Sequence, residues 1–211
     1  MKDTIFALST APGVSALAVL RISGPNAFST LKKITKGDFP APRVATLKKI
    51  IWGGEVIDEC IVLRFNSVSS FTGEQVVELQ THGSQAVIKK ICSIFLEKDF
   101  VNLRPAEEGE FTRQAFYNGK LNLTQVEGLA ELLSAETETQ RKWSIDSYSG
   151  GLSKDINKWR DIITEILSDF EANIDFSDED IEPMNVTGKI DDLMLLMKEK
   201  EDMYNRVRVI K

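Results

Sequence analysis

The 211-residue sequence has few of the residues that build metal centres, disulfide frameworks or membrane spans. Its one histidine, His82, has no serine, cysteine or metal partner at a recognisable spacing. Its two cysteines, Cys60 and Cys92, lie in apolar surroundings without a Cys-x-x-Cys pattern, so we expect both to be reduced core residues and no metal site. No apolar run approaches the roughly 20 residues that span a bilayer, and the amino terminus lacks a signal-peptide core. These absences favour a cytoplasmic protein that does not enter a membrane.

Basic residues are fewer than acidic residues. The sequence holds 26 Lys and Arg residues against 32 Asp and Glu residues, which gives a formal net charge of −6 at pH 7. A broad nucleic-acid surface requires an excess of basic side chains, so this chain alone is not expected to provide one. The length allows one large or two small globular domains, each with its own core.

A nucleotide-binding P-loop is absent as well. The dipeptide Gly119-Lys120 resembles the end of that motif, but a P-loop would need Gly at position 114 and Ser or Thr at position 121. Gln114 and Leu121 occupy those positions, and the pattern G-x-x-x-x-G-K-[ST] occurs nowhere in the chain. These residues are therefore not expected to hydrolyse a nucleotide.

Residues 1 to about 105 are rich in strand patterns separated by glycine and proline. Residues 45–52 and 55–65 flank a Gly-Gly turn, as in a β-hairpin, and residues 74–83 alternate like a further strand. Residues 84–98 instead carry apolar side chains at helical spacing. Because strands and helices interleave irregularly, the sequence predicts an α+β fold with a mixed or antiparallel sheet.

Helical patterns dominate from Phe111 onward. Thr124 and Glu127 have the spacing of a capping box, which predicts a helix that begins near Gln125. The pair Gly150-Gly151 predicts a kink or a break before the next helix.

An apolar seam follows that break. Its residues recur at alternating spacings of four and three, as in helix bundles: Leu152, Ile156, Trp159, Ile163, Ile166 and Phe170. An acidic loop at residues 175–183 separates the seam from a last amphipathic helix. Two or three helices form only a thin bundle. We therefore expect structure beyond these helices to cover the apolar seam.

Three polar residues are candidates for a ligand site. Arg21 ends a nearly continuous apolar strand and shares a face with Leu17 and Val19 by strand alternation. Glu78 lies in the middle of a strand, and Lys120 follows an Asn-Gly break after a short helix. Each also has an ordinary interpretation. Arg21 can be a strand-end arginine that reaches water, Glu78 can lie on a solvent-exposed face of the sheet, and Lys120 can be an exposed surface lysine. The residues alone therefore specify no reaction.

Four segments together resemble the MnmE (TrmE) family of tRNA-modification GTPases: residues 3–25, 70–84, 109–137 and 174–181. The resemblance implies a tetrahydrofolate-binding and dimerisation domain at residues 1–118, related to the aminomethyltransferase fold. It also implies a partial helical domain at residues 119–211, which ends before the GTPase domain that the family inserts there.

The resemblance further implies an activity for the parent protein. With the MnmG flavoprotein, a homodimer of this family modifies the 5-position of the wobble uridine of tRNA with a one-carbon unit from a tetrahydrofolate. GTP, with magnesium and potassium, would bind only in the missing GTPase domain, so this chain alone is not expected to hydrolyse GTP. We expect tRNA contacts to lie mainly elsewhere or on the partner.

The residues that match the family's folate contacts are Arg21, Glu78 and Lys120, and the ligand implied is 5-formyl-tetrahydrofolate or 5,10-methylene-tetrahydrofolate. A carboxylate such as Glu78 can accept hydrogen bonds from both N–H donors on one edge of a pterin. The glutamyl tail is anionic, so an arginine or lysine suits it. No residue is assigned to bond-making. A stand-alone folate-dependent one-carbon transferase and a dimerisation scaffold without ligand remain as alternatives, and retention of all three residues disfavours the scaffold.

Overall fold

The computed structural model describes residues 3–175 and 186–208. The chain forms two compact units, Met1–Leu121 and Asn122–Lys211, which we call the N-terminal and C-terminal units. Most of the predicted acidic loop, residues 176–183, lies outside the described residues.

The N-terminal unit is built on a six-stranded sheet with the order β3-β4-β5-β2-β1-β6. The strands are β1 Thr4–Leu8, β2 Ser15–Ser23, β3 Thr46–Trp52, β4 Glu55–Phe65, β5 Val76–Gly83 and β6 Leu103–Pro105. Neighbouring strands are antiparallel except for β1 and β6, which are parallel. The predicted mixed sheet and the β3–β4 hairpin are thereby confirmed.

Two helices cover one face of this sheet. They are α1 (Ala27–Ile34) and α2 (Gln85–Phe95), and α2 confirms the helix predicted at residues 84–98. Their buried side chains meet those of the sheet in one apolar core, which includes Leu20, Ile22, Leu31, Val62, Val77, Leu79, Ile91 and Phe95. Cys60 belongs to the same core and Cys92 packs against it; both are free thiols.

The opposite face of the sheet, which we call the open face, carries the residues that alternate with the core positions. Residues opposed across two strands share a face, and the register opposes Arg21 to Glu78 and Leu17 to His82. Ile61 on β4 belongs to the same face. Leu17 is 60% exposed and Ile61 is 39% exposed. Alternation therefore places the core on one face and the candidate site residues on the other.

The C-terminal unit consists of helices in its described part. They are α4 Leu123–Ser134, α5 Glu138–Tyr148, α6 Gly151–Asp175 and α7 Val186–Arg208; the N-terminal unit contributes the earlier α3, Glu110–Tyr117. The predicted break is confirmed, since α5 ends before Gly150, whose φ is +90°. No helix in these described ranges is both long enough and apolar enough to cross a membrane.

The predicted capping box was wrong in its residues. Asn122 caps α4: its side chain accepts the Gln125 N–H at 3.0 Å, and the Gln125 side chain accepts the Asn122 N–H at 3.1 Å. Thr124 instead donates its hydroxyl to Asn122 Oδ1. The helix therefore begins at Leu123, two residues earlier than predicted, because the side chain of Asn122, two residues before Thr124, serves as the cap.

The apolar seam of α6 is only partly buried within the described unit. Ile166 is 9% exposed, but Ile163 and Phe170 are 52% and 48% exposed. A cavity of about 740 Å³ between the helices is lined by aromatic side chains that include Trp143, Trp159 and Tyr204. The exposure of the seam agrees with the thin bundle that the sequence predicts.

A network of ion pairs joins β6 to the start of α3. The Arg104 guanidinium makes two hydrogen bonds to the Glu110 carboxylate, at 2.7 and 2.9 Å, and a third to Asp3. The Glu107 N–H donates to the same carboxylate at 2.8 Å. Glu110 is buried, and its hydrogen bonds from Arg104 lower the pKa of its carboxyl from 4.5 to about 2.

This network predicts an acid-dependent loss of stability. Because the folded-state pKa of Glu110 is depressed, its contribution is complete above about pH 4.5 and is lost as the pH falls toward about 2. We expect Glu110→Gln to lower the free energy of unfolding at pH 7 by about 1–3 kcal/mol and to flatten its decline between those pH values. Urea unfolding at several pH values measures both effects. Glu108→Gln, at an exposed neighbouring position, is the matched control, and equal pH slopes for wild type and Glu110→Gln would contradict the prediction.

Candidate functional site

The candidate site is centred on an ion pair between β2 and β5. Arg21 and Glu78 are directly opposed in the strand register. Arg21 Nε and Nη2 lie 2.9 and 2.8 Å from Glu78 Oε1, and the two side chains are 26% and 17% exposed. Sequence alternation predicted the face of each residue, but the two residues are 57 positions apart and only the pairing of their strands brings them together.

The geometry of this pair leaves one carboxylate oxygen available. Both guanidinium nitrogens contact Oε1 of Glu78. Across residues 3–175 and 186–208, the hydrogen bonds identified for the Glu78 side chain involve that oxygen alone. Oε2 can therefore accept hydrogen bonds from a ligand while the ion pair stays intact.

Two aromatic rings flank the Arg21 guanidinium. Its Cζ lies 5.8 Å from the centroid of Phe71 and 5.4 Å from the centroid of Phe111, within the range of cation–π attraction. Both rings are half-buried. Neither phenylalanine is among the candidates from the sequence, because only the fold brings their rings to Arg21.

Lys120 is placed by the end of α3. The Lys120 N–H donates to Ala115 O at 2.8 Å and the Gly119 N–H to Phe116 O at 3.0 Å, which is the pattern of a Schellman motif. Gly119 has the left-handed φ of +68° that this motif needs, whereas Asn118 has a φ of −89°. The break predicted at these two residues is therefore confirmed, with only the glycine left-handed.

The Lys120 amine is held at the 3₁₀ turn Ser67–Ser69. Its Nζ donates to Val68 O at 2.5 Å. Among the described residues, no hydrogen bond or ion pair joins Lys120 to Arg21 or Glu78. The structure thus pairs two of the three predicted residues directly. The third is connected through the β4–β5 loop, which contains both Val68 and Phe71.

His82 lies on the same strand as Glu78 but outside this cluster. Its Nδ1 is 2.7 Å from Asp58 Oδ1, and its main-chain N–H donates to Asp58 Oδ2 at 2.9 Å. Sequence spacing indicated no such partner, because Asp58 is 24 residues away on β4. Four residues along a strand separate His82 from Glu78 by roughly 13 Å, so the two do not act on the same atoms of a small ligand.

The cluster is suited to recognition rather than to nucleophilic attack. It combines an acceptor oxygen, a guanidinium and aromatic walls, which together suit a flat ring bearing N–H donors. The buried thiol of Cys60 is no nucleophile, because burial raises its pKa to about 12.

Comparisons with known proteins cover both units. Residues 4–120 match the family model of the GTP-binding protein TrmE N-terminus, and residues 123–211 match that of the MnmE helical domain.

Three relatives illustrate the similarity, each named tRNA modification GTPase MnmE. The one from Caulobacter vibrioides is 45% identical over 181 residues, which cover 86% of this chain and 40% of that protein. The one from Ruegeria sp. is 45% identical over 91% of this chain and 44% of its own length. The one from Roseobacter denitrificans is 42% identical over 98% and 46% respectively. The chain thus spans less than half the length of these curated relatives.

The Schellman motif that places Lys120 predicts a cost for a side chain at position 119. Apart from Gly119 itself and its two chain neighbours, no described atom lies within 4 Å of the position a Cβ would take, so the cost of Gly119→Ala comes from its left-handed backbone. We expect a loss of roughly 1–2 kcal/mol in the free energy of unfolding, measured by urea denaturation. Gly119→Asn, whose side chain tolerates this conformation better, should lose less. An alanine variant as stable as wild type would rule out the proposed strain.

Proposed function

The chain belongs to the MnmE (TrmE) family, of which it carries the N-terminal and helical portions, and on this premise we propose that its N-terminal unit binds a reduced folate and self-associates. The observation that carries the folate proposal is the Arg21–Glu78 pair, with one carboxylate oxygen available beside two aromatic rings. The ligand is 5-formyl-tetrahydrofolate or 5,10-methylene-tetrahydrofolate.

The chemistry of a pterin supports this assignment. Its 2-amino group and the adjacent ring N–H are two donors on one edge, and Oε2 of Glu78 has two lone pairs with which to accept them. Arg21 orients that carboxylate through contacts to Oε1 and places a positive charge at hydrogen-bond distance from it. The phenyl rings of Phe71 and Phe111 provide the apolar walls that a flat heterocycle needs.

Lys120 supplies a second charge for the other end of the ligand. The glutamyl tail of a folate is anionic, and a lysine ammonium matches it as a point charge. In the structure this amine donates to a main-chain carbonyl, Val68 O. Exchange of that neutral acceptor for a carboxylate would strengthen the hydrogen bond.

For the whole protein we propose the activity named for the relatives, tRNA modification coupled to GTP hydrolysis. Together with the MnmG flavoprotein, it would modify the 5-position of the wobble uridine in the cytoplasm. The bound folate supplies the one-carbon unit, and the residues of this chain bind and orient the folate. GTP hydrolysis, with its magnesium and potassium, is assigned outside these 211 residues because they contain no P-loop.

Self-association is proposed to occur through the open face of the sheet. Leu47 and Ile61 are opposed in the β3–β4 register and are 64% and 39% exposed, and Leu17 on β2 is 60% exposed. A sheet face with several exposed large apolar residues is typical of an interaction surface. A two-fold axis through such a face would bury the same residues of both copies against each other.

Titration calorimetry with 5-formyl-tetrahydrofolate tests the ligand site. We expect saturable binding by the wild-type chain and at least about tenfold weaker binding by Glu78→Gln and by Lys120→Ala, because each removes a charge-assisted hydrogen bond worth about 1.5–3 kcal/mol. Glu55→Gln and Lys90→Ala, at exposed positions outside the cluster, are the matched controls. Absence of binding by the wild type, or equal losses in the controls, would reject the assignment.

Sedimentation velocity over a range of concentrations tests the interface. We expect the wild-type chain to form a dimer and Leu17→Lys to weaken it at least about tenfold, or about 1.4 kcal/mol, because the change places an unpaired charge in an apolar contact. Val101→Lys changes a residue of similar exposure, 69%, away from the open face and serves as control. A monomeric wild type, or a Leu17→Lys chain that dimerises as well as wild type, would contradict the proposed surface.

A further inference from the structure

The β4–β5 loop meets the end of α3 at a point with no room for a side chain. A Cβ at Gly73 would lie 2.7 Å from the Cβ of Asn118, closer than real Cβ contacts. Gly73 also has a φ of +78°, which favours glycine. The loop backbone therefore lies directly against Asn118.

Asn118 holds the loop on both sides of this contact. Its Nδ2 donates to Thr72 O at 2.7 Å and to Glu74 Oε1 at 3.2 Å. A side-chain amide is the group that can serve two acceptors at once from a neutral nitrogen. Asn118 thus fixes the residue before Gly73 and the residue after it.

A second set of hydrogen bonds joins the loop to α3 one helical turn before Asn118. Ser23 donates its hydroxyl to Gln114 Oε1 at 2.7 Å, and its oxygen is 2.7 Å from Thr72 Oγ1. Since Ser23 uses its only proton on Gln114, Thr72 is the donor to Ser23. Gln114 and Asn118 are four residues apart and so share one face of α3. The loop and the helix are therefore joined at two points.

The residues joined in this way also carry the parts of the proposed ligand site. Lys120 follows Asn118 by two residues, and its amine donates to Val68 O of the same loop. Phe71, beside Arg21, directly precedes Thr72, and the loop continues into β5 with Glu78. The backbone hydrogen bonds of the Schellman motif then set the direction of Lys120 from the end of α3.

We propose that Asn118 is a positioning residue that sets the place of the Lys120 amine relative to Glu78. Among the described residues, no hydrogen bond joins Asn118 to the carboxylate of Glu78, so it acts through the loop and through the end of α3. This inference rests on the proposed folate site, and it assigns to Asn118 a role in binding affinity in addition to its role in folding.

The test is a double-mutant cycle in the dissociation constant for 5-formyl-tetrahydrofolate. Four chains are compared: wild type, Asn118→Ala, Lys120→Ala and the double variant. We expect Asn118→Ala to weaken binding about tenfold in the wild-type background and by less than about twofold when Lys120 is already alanine, because residues that act as one unit are not additive. Asn157→Ala, at an exposed position of α6, should leave the affinity unchanged.

A purely structural role gives a different pattern in the same cycle. Damage to the fold would weaken binding by the same factor in both backgrounds, and that result would overturn the proposal. Unchanged affinity of the single variant Asn118→Ala would overturn it as well.

Hydrogen exchange provides a readout that does not depend on the ligand. The amides of Gly119 and Lys120 are bonded to Phe116 O and Ala115 O, and we expect Asn118→Ala to speed their exchange at least about fivefold while the amides of α2 keep their rates. If the wild type fails to bind the folate, the proposed function falls. In that case, faster exchange in Asn118→Ala still supports the inference that Asn118 positions Lys120, and unchanged exchange overturns it.

Discussion

The antiparallel pairing of β2 with β5 is the constraint on which the N-terminal unit depends. It opposes Leu20 to Leu79 on the core face and Arg21 to Glu78 on the open face. A slip of β5 by one residue would turn Glu78 toward the buried side chains of α1 and α2, where its carboxylate would have lost Arg21. The burial of the core therefore fixes the register, and the register brings the two charged residues together.

Local patterns in the sequence predicted the secondary-structure elements well, because alternation and helical spacing depend on near neighbours. The β3–β4 hairpin, α2 and the break before α6 are examples. The capping residue of α4 was assigned wrongly, since Thr124 and Asn122 both offer a capping oxygen and the spacing of their partners is the same. Only the three-dimensional arrangement shows that the asparagine takes this role.

The candidate site could be predicted as separate residues but not as an assembly. The contacts of Arg21 with Glu78, Phe71 and Phe111 join three segments of the chain, and the contact of Asp58 with His82 joins two. No periodicity within one segment encodes such contacts, because they depend on strand order. The neighbouring polar network is fully satisfied: in the described part of the chain, no buried side-chain nitrogen or oxygen lacks a hydrogen-bond partner.

The one-sided contact of Arg21 with the Glu78 carboxylate has a consequence for the course of binding. A ligand that approaches Oε2 meets an acceptor whose orientation is already set and whose charge is already balanced by Arg21. No ion pair has to break first, and few rotamers remain to be ordered. Most of the entropic penalty of ordering this carboxylate is therefore met when the protein folds, and a ligand of the proposed site would bind a geometry that is already formed.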